Sequence, residues 1–222
     1  MEHSPEQVPF ADLTVGQFVE RLSSAEPVPG GGSASAVAAA LGAALVSMVS
    51  SLSTGRPKYE VFAATLVHAG AVGKELAAEF MRIADRDARA YAGYSAALKL
   101  PKESETDKET RRTAICAAAR VASDAPMECV MACRRLAVEA ESLAGRSNVN
   151  ASSDVLVAAL LAEAGARGAA ENVRINLPAT GDELYNDSML RRLDAALHDI
   201  STLAAQTREM VLSGQSREPE AE

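Results

Sequence analysis

Tryptophan is absent from this 222-residue chain, aromatic residues make up only 4% of it, and cysteine occurs three times. The shortage of aromatics leaves alanine to supply much of the apolar fraction. It also removes the aromatic-basic interleaving of nucleic-acid surfaces. No long basic run compensates, and the net charge is −8, so nucleic-acid binding is not expected. Cys116, Cys129 and Cys133 form no CxxC pair, and their odd number suits a reducing compartment. Cys129 and Cys133 are four apart on one helix face and read as small buried hydrophobes, because no histidine accompanies them as a metal ligand. Residues 1–9 carry neither a basic start nor an apolar stretch, so no secretory leader is expected and the cytoplasm is the expected compartment.

Charge is also missing from residues 27–55. That run is long enough to cross a bilayer. Its alanine, glycine and serine supply little insertion energy, so it reads as a helix buried among other helices, with no membrane partner. No stretch alternates with the period of a strand, and no internal repeat or Gly/Ser linker divides the chain.

What remains is alanine and helical spacing. Hydrophobic residues are 48% of the sequence, much of that alanine, the strongest helix former. Val15, Phe18, Val19 and Leu22 mark a first helix over about residues 14–24. Pro27 and Pro29 enforce an extended approach to the glycine turn, Ser33 is the expected N-cap, and a second helix runs to about residue 52. Gly55 and Pro57 separate it from a long third helix, about 58–98, which Pro101 stops. A charged connection over 102–109 leads to a helix through 114–123, with Pro126 a kink or the start of another. Gly145 closes that helix, 147–153 form a polar loop capped by Ser152 or Ser153, and helices follow over about 154–175 and 182–212. The reading is an all-α single-domain bundle of six to seven helices, dimer-forming, over residues 12–213. A flexible segment (1–11) and an acidic disordered tail (214–222) flank it.

Five features could carry chemistry. Pro29-Gly30-Gly31-Gly32-Ser33 allows close backbone approach just before a helix N-terminus, where free N–H groups favour an anion. A tight turn packed beneath a neighbouring helix is the competing reading. Asp85 and Asp87 are two apart on a helix, so they point to different faces and do not form a simple carboxylate pair; one can face a cavity while the other faces solvent. Lys102, just past a helix end, can satisfy orphan carbonyls or hold an anionic group. Asn148, Asn150, Ser153 and Asp154 suit an Asx-turn and helix cap, and could equally read a heterocycle's polar edge. Asn172 and Asn176, four apart on one face, each call for a specific partner. His3, His68 and His198 sit in ordinary surroundings. Neither a nucleophile-elbow sequence nor a two-histidine metal pattern occurs.

In order, these pieces resemble one family. The series comprises Pro29-Gly30-Gly31-Gly32-Ser33, Gly42-Ala43-Ala44-Leu45-Val46-Ser47-Met48-Val49, Asp85-x-Asp87-Ala88-x-Ala90-Tyr91 and Leu100-Pro101-Lys102. It ends with Asn148-x-Asn150-x-x-Ser153-Asp154 and Asn172-Val173-x-Ile175-Asn176-Leu177. Over residues 12–212 it is similar to the cyclodeaminase domain of formiminotransferase-cyclodeaminase and to stand-alone methenyltetrahydrofolate cyclohydrolases. Ser147 stands where many members have glycine, and Glu103 where the family often has asparagine. The resemblance implies an all-α homodimer with its pocket near the dimer interface, a tetrahydrofolate derivative as substrate, and no cofactor or metal. It implies chemistry at the N5–C–N10 bridge, either 5,10-methenyltetrahydrofolate cyclohydrolase or 5-formiminotetrahydrofolate cyclodeaminase. The absence of an attached formiminotransferase domain tilts the expectation slightly to the former. Asp87 or Asp154 would be the general acid/base and Lys102 would hold an anionic part of the folate or assist proton transfer. Gly30, Gly31, Gly32 and Ser33 would lie against the substrate, with Asp85, Asn148, Asn150, Ser153, Asn172 and Asn176 as further binding residues. A non-catalytic folate- or anion-binding helical dimer, or a member recruited to another cyclisation, are the alternatives.

Overall fold

The computed structural model describes residues 8–218; expectations about residues 1–7, His3 among them, and 219–222 lie outside that range. Among the described residues six α-helices follow in chain order: α1 Val15–Leu22, α2 Gly31–Ser53, α3 Ala63–Leu98, α4 Glu105–Leu143, α5 Ser152–Asn176 and α6 Glu183–Ser213. Short 3-10 turns Phe10–Asp12, Pro57–Phe62, Val149–Ala151 and Leu177–Thr180 lie between or before them. No strand occurs among the described residues.

Long helices joined by short turns run antiparallel. The Gly32 end of α2 faces Asp87 of α3, and its Ser50 end faces Leu66. Arg135 of α4 pairs with Glu75 and Glu79 of α3 at 2.8 and 2.9 Å. Arg174 of α5 reaches Asp194 of α6 at 3.1 Å. These exposed pairs contribute little stability, at most about 1 kcal/mol each, but they report the register. The apolar centre is built from Leu66, Leu76, Phe80, Ile83, Leu136, Leu143, Leu193 and Ile200, with many buried alanines between them.

Small residues let α2 approach its neighbours. A Cβ on Gly73 of α3 would stand 2.9 Å from Ala43 O, and one on Gly165 of α5 would stand 2.9 Å from Ser35 O. So α2 lies against both α3 and α5 with α4 behind it, while Leu41, Met48 and Leu52 on its remaining face are exposed, so packing within the chain covers only part of the charge-free run 27–55. By length and composition alone, three helical segments (Gly31–Ser53, Pro57–Leu98 and Val149–Thr180) could cross a membrane.

Several boundaries differ from those read in the sequence. Gly30, not Ser33, is the N-cap of α2; Ser33 is buried in its first turn. Ser104 and Asp107 form a capping box, so α4 begins inside the charged connection. α4 then runs unbroken through Pro126, with packing from α3 and α5 outweighing the missing ladder bond. Neither Ser152 nor Ser153 caps α5: Ala151 is its N-cap, and the Asn148 side chain instead caps the turn before it, accepting from Asn150 N at 3.1 Å.

The flanks are tied down further than expected. Phe10 is buried edge-on against Phe18, with ring centres 5.4 Å apart. Arg217 donates its backbone N–H to Gly145 O at 2.9 Å and pairs with Glu141.

Candidate functional site

α2 starts below the ends of its neighbours, and a cleft of about 410 Å³ lies over its first turn. Gly30, Gly31 and Gly32 form the floor, Asp87, Tyr91 and Tyr94 of α3 one wall, and Asn172, Ile175 and Asn176 of α5 the other. The volume is in the range of small-molecule sites. Gly31 and Gly32 occupy the first two helical positions, whose N–H groups have no partner inside the helix. The macrodipole of a 23-residue helix adds positive potential at this point.

Among the described residues Asp87 is the only acid lining this cleft. Its Oδ2 accepts the Ser33 hydroxyl at 2.9 Å, and Ser33 Oγ also lies 3.1 Å from Ala84 O. Burial lifts the Asp87 carboxyl above its usual value, and hydrogen bonds from the side chain and backbone of Ser33 pull it part of the way back. A carboxyl of raised pKa placed beside a row of backbone donors can give or take a proton at a bound small molecule.

The structure separates the sequence-derived residues into groups. Gly30, Gly31, Gly32, Ser33, Asp87, Asn172 and Asn176 come together in or directly beneath the cleft. Asp85 does not join them. It turns toward the N-terminal segment and accepts Phe10 N–H at 2.9 Å, so it holds chain rather than lining the cleft. Lys102 is exposed in the α3–α4 connection, where its N–H donates to Glu103 Oε2 at 2.8 Å; it is not part of the lining.

Asn148, Asn150, Ser153 and Asp154 lie at the opposite end of the bundle. Asn148 N–H donates to Ser53 Oγ at 2.8 Å and Val149 N–H to Tyr59 Oη at 3.1 Å, which docks the loop on the C-terminus of α2. Along α5, Asp154 is roughly 27 Å from Asn172 at 1.5 Å per residue. Within one chain, Asp87 and Asp154 therefore cannot act on one small ligand. Sequence order concealed this, because antiparallel helices put neighbouring motifs at alternate ends.

Tyr94 lines the cleft and belongs to none of the sequence motifs, while Tyr91 and Ile175, which also line it, stood in the motifs without an assigned role. The signal was available: 87, 91 and 94 share one helical face, as do 172, 175 and 176. Cys129 and Cys133 are buried, and contact with Cys129 together with burial pushes the Cys133 thiol up, which keeps it protonated.

A helical bundle holding a half-buried carboxyl against a glycine floor has the layout of a small-molecule acid/base site built on helix ends. Comparison with known proteins narrows this. The formiminotransferase-cyclodeaminase family matches residues 14–195, and this chain belongs to that family. A methenyltetrahydrofolate cyclohydrolase from Methylorubrum extorquens is 35% identical over 200 residues, 90% of this chain and 96% of that protein. The formimidoyltransferase-cyclodeaminase of Rattus norvegicus is 32% identical over 92% of this chain, which spans only 38% of that longer protein. The crystal structure of formiminotetrahydrofolate cyclodeaminase from Thermotoga maritima superposes with a TM-score of 0.83 at 27% identity, covering 91% of this chain and 98% of that one.

Proposed function

We propose that this chain is a folate one-carbon enzyme acting at the N5–C–N10 bridge of a tetrahydrofolate derivative, as a methenyltetrahydrofolate cyclohydrolase, a formiminotetrahydrofolate cyclodeaminase, or both. The observation that carries the reading is Asp87, a half-buried carboxyl of raised pKa set against the first turn of α2 in the cleft. In the cyclohydrolase direction, water adds to the bridging carbon of the methenyl cation, Asp87 takes one of its protons, and the remaining hydroxyl proton is released to solvent as the C=O forms. The proton on Asp87 passes to N5 as the C–N5 bond breaks, leaving the formyl group on N10. In the cyclodeaminase direction, N10 attacks the formimino carbon, Asp87 carries the N10 proton to the departing nitrogen, and ammonia leaves with one further proton from solvent. Both routes pass through a tetrahedral carbon, so one positioned acid/base serves both. The reading calls for no cofactor.

Two assays test it. Purified protein is given 5,10-methenyltetrahydrofolate in one and 5-formiminotetrahydrofolate in the other, while the absorbance of the methenyl species is followed. Accelerated loss in the first reports cyclohydrolase and gain in the second cyclodeaminase. No change in either, with folded protein, rejects the reading.

The working form is a homodimer in the reducing cytoplasm, where three free cysteines are stable. Leu41, Met48 and Leu52 are exposed at helical spacing on α2, and Val157 is exposed on α5 beside it. A charge-free helix presenting apolar side chains is covered well by a second copy of itself. An antiparallel pairing of the two α2 helices would carry the 148–154 loop of each copy toward the other's cleft, which is how Asp154, Ser153 and Asn150 enter the site. Light scattering on the purified protein gives the mass; a monomer at micromolar concentration rejects the dimer.

A further inference from the structure

Pro126 sits in the interior of α4. Proline has no N–H, so the carbonyl four residues earlier, that of Ala122, loses its helical donor. A carbonyl so placed needs another partner. It takes the side-chain amide of Asn176, whose Nδ2 donates to Ala122 O at 2.7 Å. One turn earlier on α5, Asn172 Nδ2 donates to Gly168 O at 2.9 Å.

These bonds fix the polarity of both amides. A carbonyl only accepts, so turning either amide over would set oxygen against oxygen. The nitrogens face helix carbonyls and the two Oδ1 atoms are left over. Among the described residues neither Oδ1 accepts a hydrogen bond, and neither is a buried orphan; Arg111 Nε alone has that status. Both residues line the cleft, as does Ala122.

We propose that Pro126, by freeing the Ala122 carbonyl, holds Asn176 with its oxygen toward the cleft, and that Asn176 and Asn172 together form a fixed acceptor pair for the N–H groups on the pyrimidine edge of the ligand. This rests on the folate reading above, in which that edge carries the 2-amino group and N3–H. The cleft is then polarised: backbone donors of Gly31 and Gly32 at the floor, Asp87 on the α3 wall, acceptors on the α5 wall. A ligand with its amino edge on α5 and its one-carbon bridge near Asp87 matches both. Pro126 touches no ligand; it is a positioning residue.

The test compares two compounds on four proteins. The dissociation constants of 5-formyltetrahydrofolate and its 2-desamino-2-methyl counterpart are measured by calorimetry on wild type, Asn176→Ala, Asn172→Ala and Pro126→Ala, with thermal melts alongside. Wild type is expected to prefer the amino compound by about tenfold, the value of one lost hydrogen bond in a site built for it. In Asn176→Ala the preference falls to about twofold or less. In Pro126→Ala the restored N–H reclaims Ala122 O, so the preference falls several-fold while Tm is unchanged or higher, an outcome a merely structural proline would not give. Should Asn176→Ala fail to fold, Asn172→Ala carries the same test, since its partner carbonyl lies on its own helix. Undiminished preference in the folded asparagine and proline variants overturns the proposal. So does wild type binding both compounds equally. Wild type binding neither overturns the folate reading itself.

Discussion

Gly32 and Asp87 occupy each other's space: a Cβ built on Gly32 would stand 2.6 Å from Asp87 Cγ. The glycine is needed because the carboxyl of another helix rests on its backbone. Gly31, one residue earlier, is different; a Cβ there would meet nothing nearer than Asn172 Nδ2 at 3.7 Å. Gly32→Ala is therefore expected to displace Asp87, lowering kcat/KM by about 100-fold, the scale of a lost acid/base group. Overpacking should also cost about 1–3 kcal/mol of stability. Gly31→Ala should fold and turn over within a few-fold of wild type. Gly31→Leu should fold but fill the cleft and abolish folate binding. Melting curves and Michaelis kinetics on the three variants check this, and equal behaviour of Gly32→Ala and Gly31→Ala would contradict it.

Asp87→Asn separates charge from shape. Asparagine keeps an oxygen for the Ser33 hydroxyl, so the fold should persist, while turnover should drop by about 100-fold or more. The wild-type kcat/KM should show an acidic limb displaced upward from the ordinary aspartate value of about 3.9, rising as Asp87 ionises. Stability has the matching sign. A carboxyl whose pKa is raised in the folded state gives stability that is full below its unfolded pKa and lost as pH climbs through the folded pKa. Asp87→Asn should therefore melt higher relative to wild type at neutral pH than in acid. A gap that widens toward low pH would argue against burial as the dominant influence on this carboxyl.

Asp85 is two residues from Asp87 and has the opposite destiny. Its carboxylate accepts Phe10 N–H, pinning the segment that buries Phe10 against Phe18. Asp85→Ala is expected to cost about 1 kcal/mol, the net value of one hydrogen bond, and to leave kcat/KM within about twofold. Denaturant melts and steady-state kinetics measure both; a large catalytic loss at unchanged stability would return Asp85 to the site.

The helices were legible because alanine and apolar spacing leave little else for this chain to form. Their ends were harder. Ser33 has the chemistry of an N-cap, yet the carboxyl of Asp87 draws it into the first turn. Pro126 has the chemistry of a break, yet tertiary packing and the Asn176 amide absorb the cost of the lost bond. The glycine turn, Asp87, Asn172 and Asn176 were readable as separate signals. Their convergence was not, since it depends on which helix ends meet. Asn148 shows the limit from the other side: it stands near Asn172 in the motif order but docks on Ser53, at the far end of α2.

That separation gives the dimer its most direct test. If Asp87 of one copy and Asp154 of the other serve one cleft, Asp87→Asn and Asp154→Asn are each inactive but repair one another when mixed. Unfolding and refolding an equal mixture makes about half the dimers mixed, and each mixed dimer keeps one intact site of two, so about a quarter of wild-type activity should return. Mixing without refolding should restore activity only as fast as subunits exchange. Activity no greater than that of the separate variants would mean that each cleft draws on its own chain alone. Full activity of Asp154→Asn by itself would remove that residue from the chemistry and leave Asp87 as the sole carboxyl acting there.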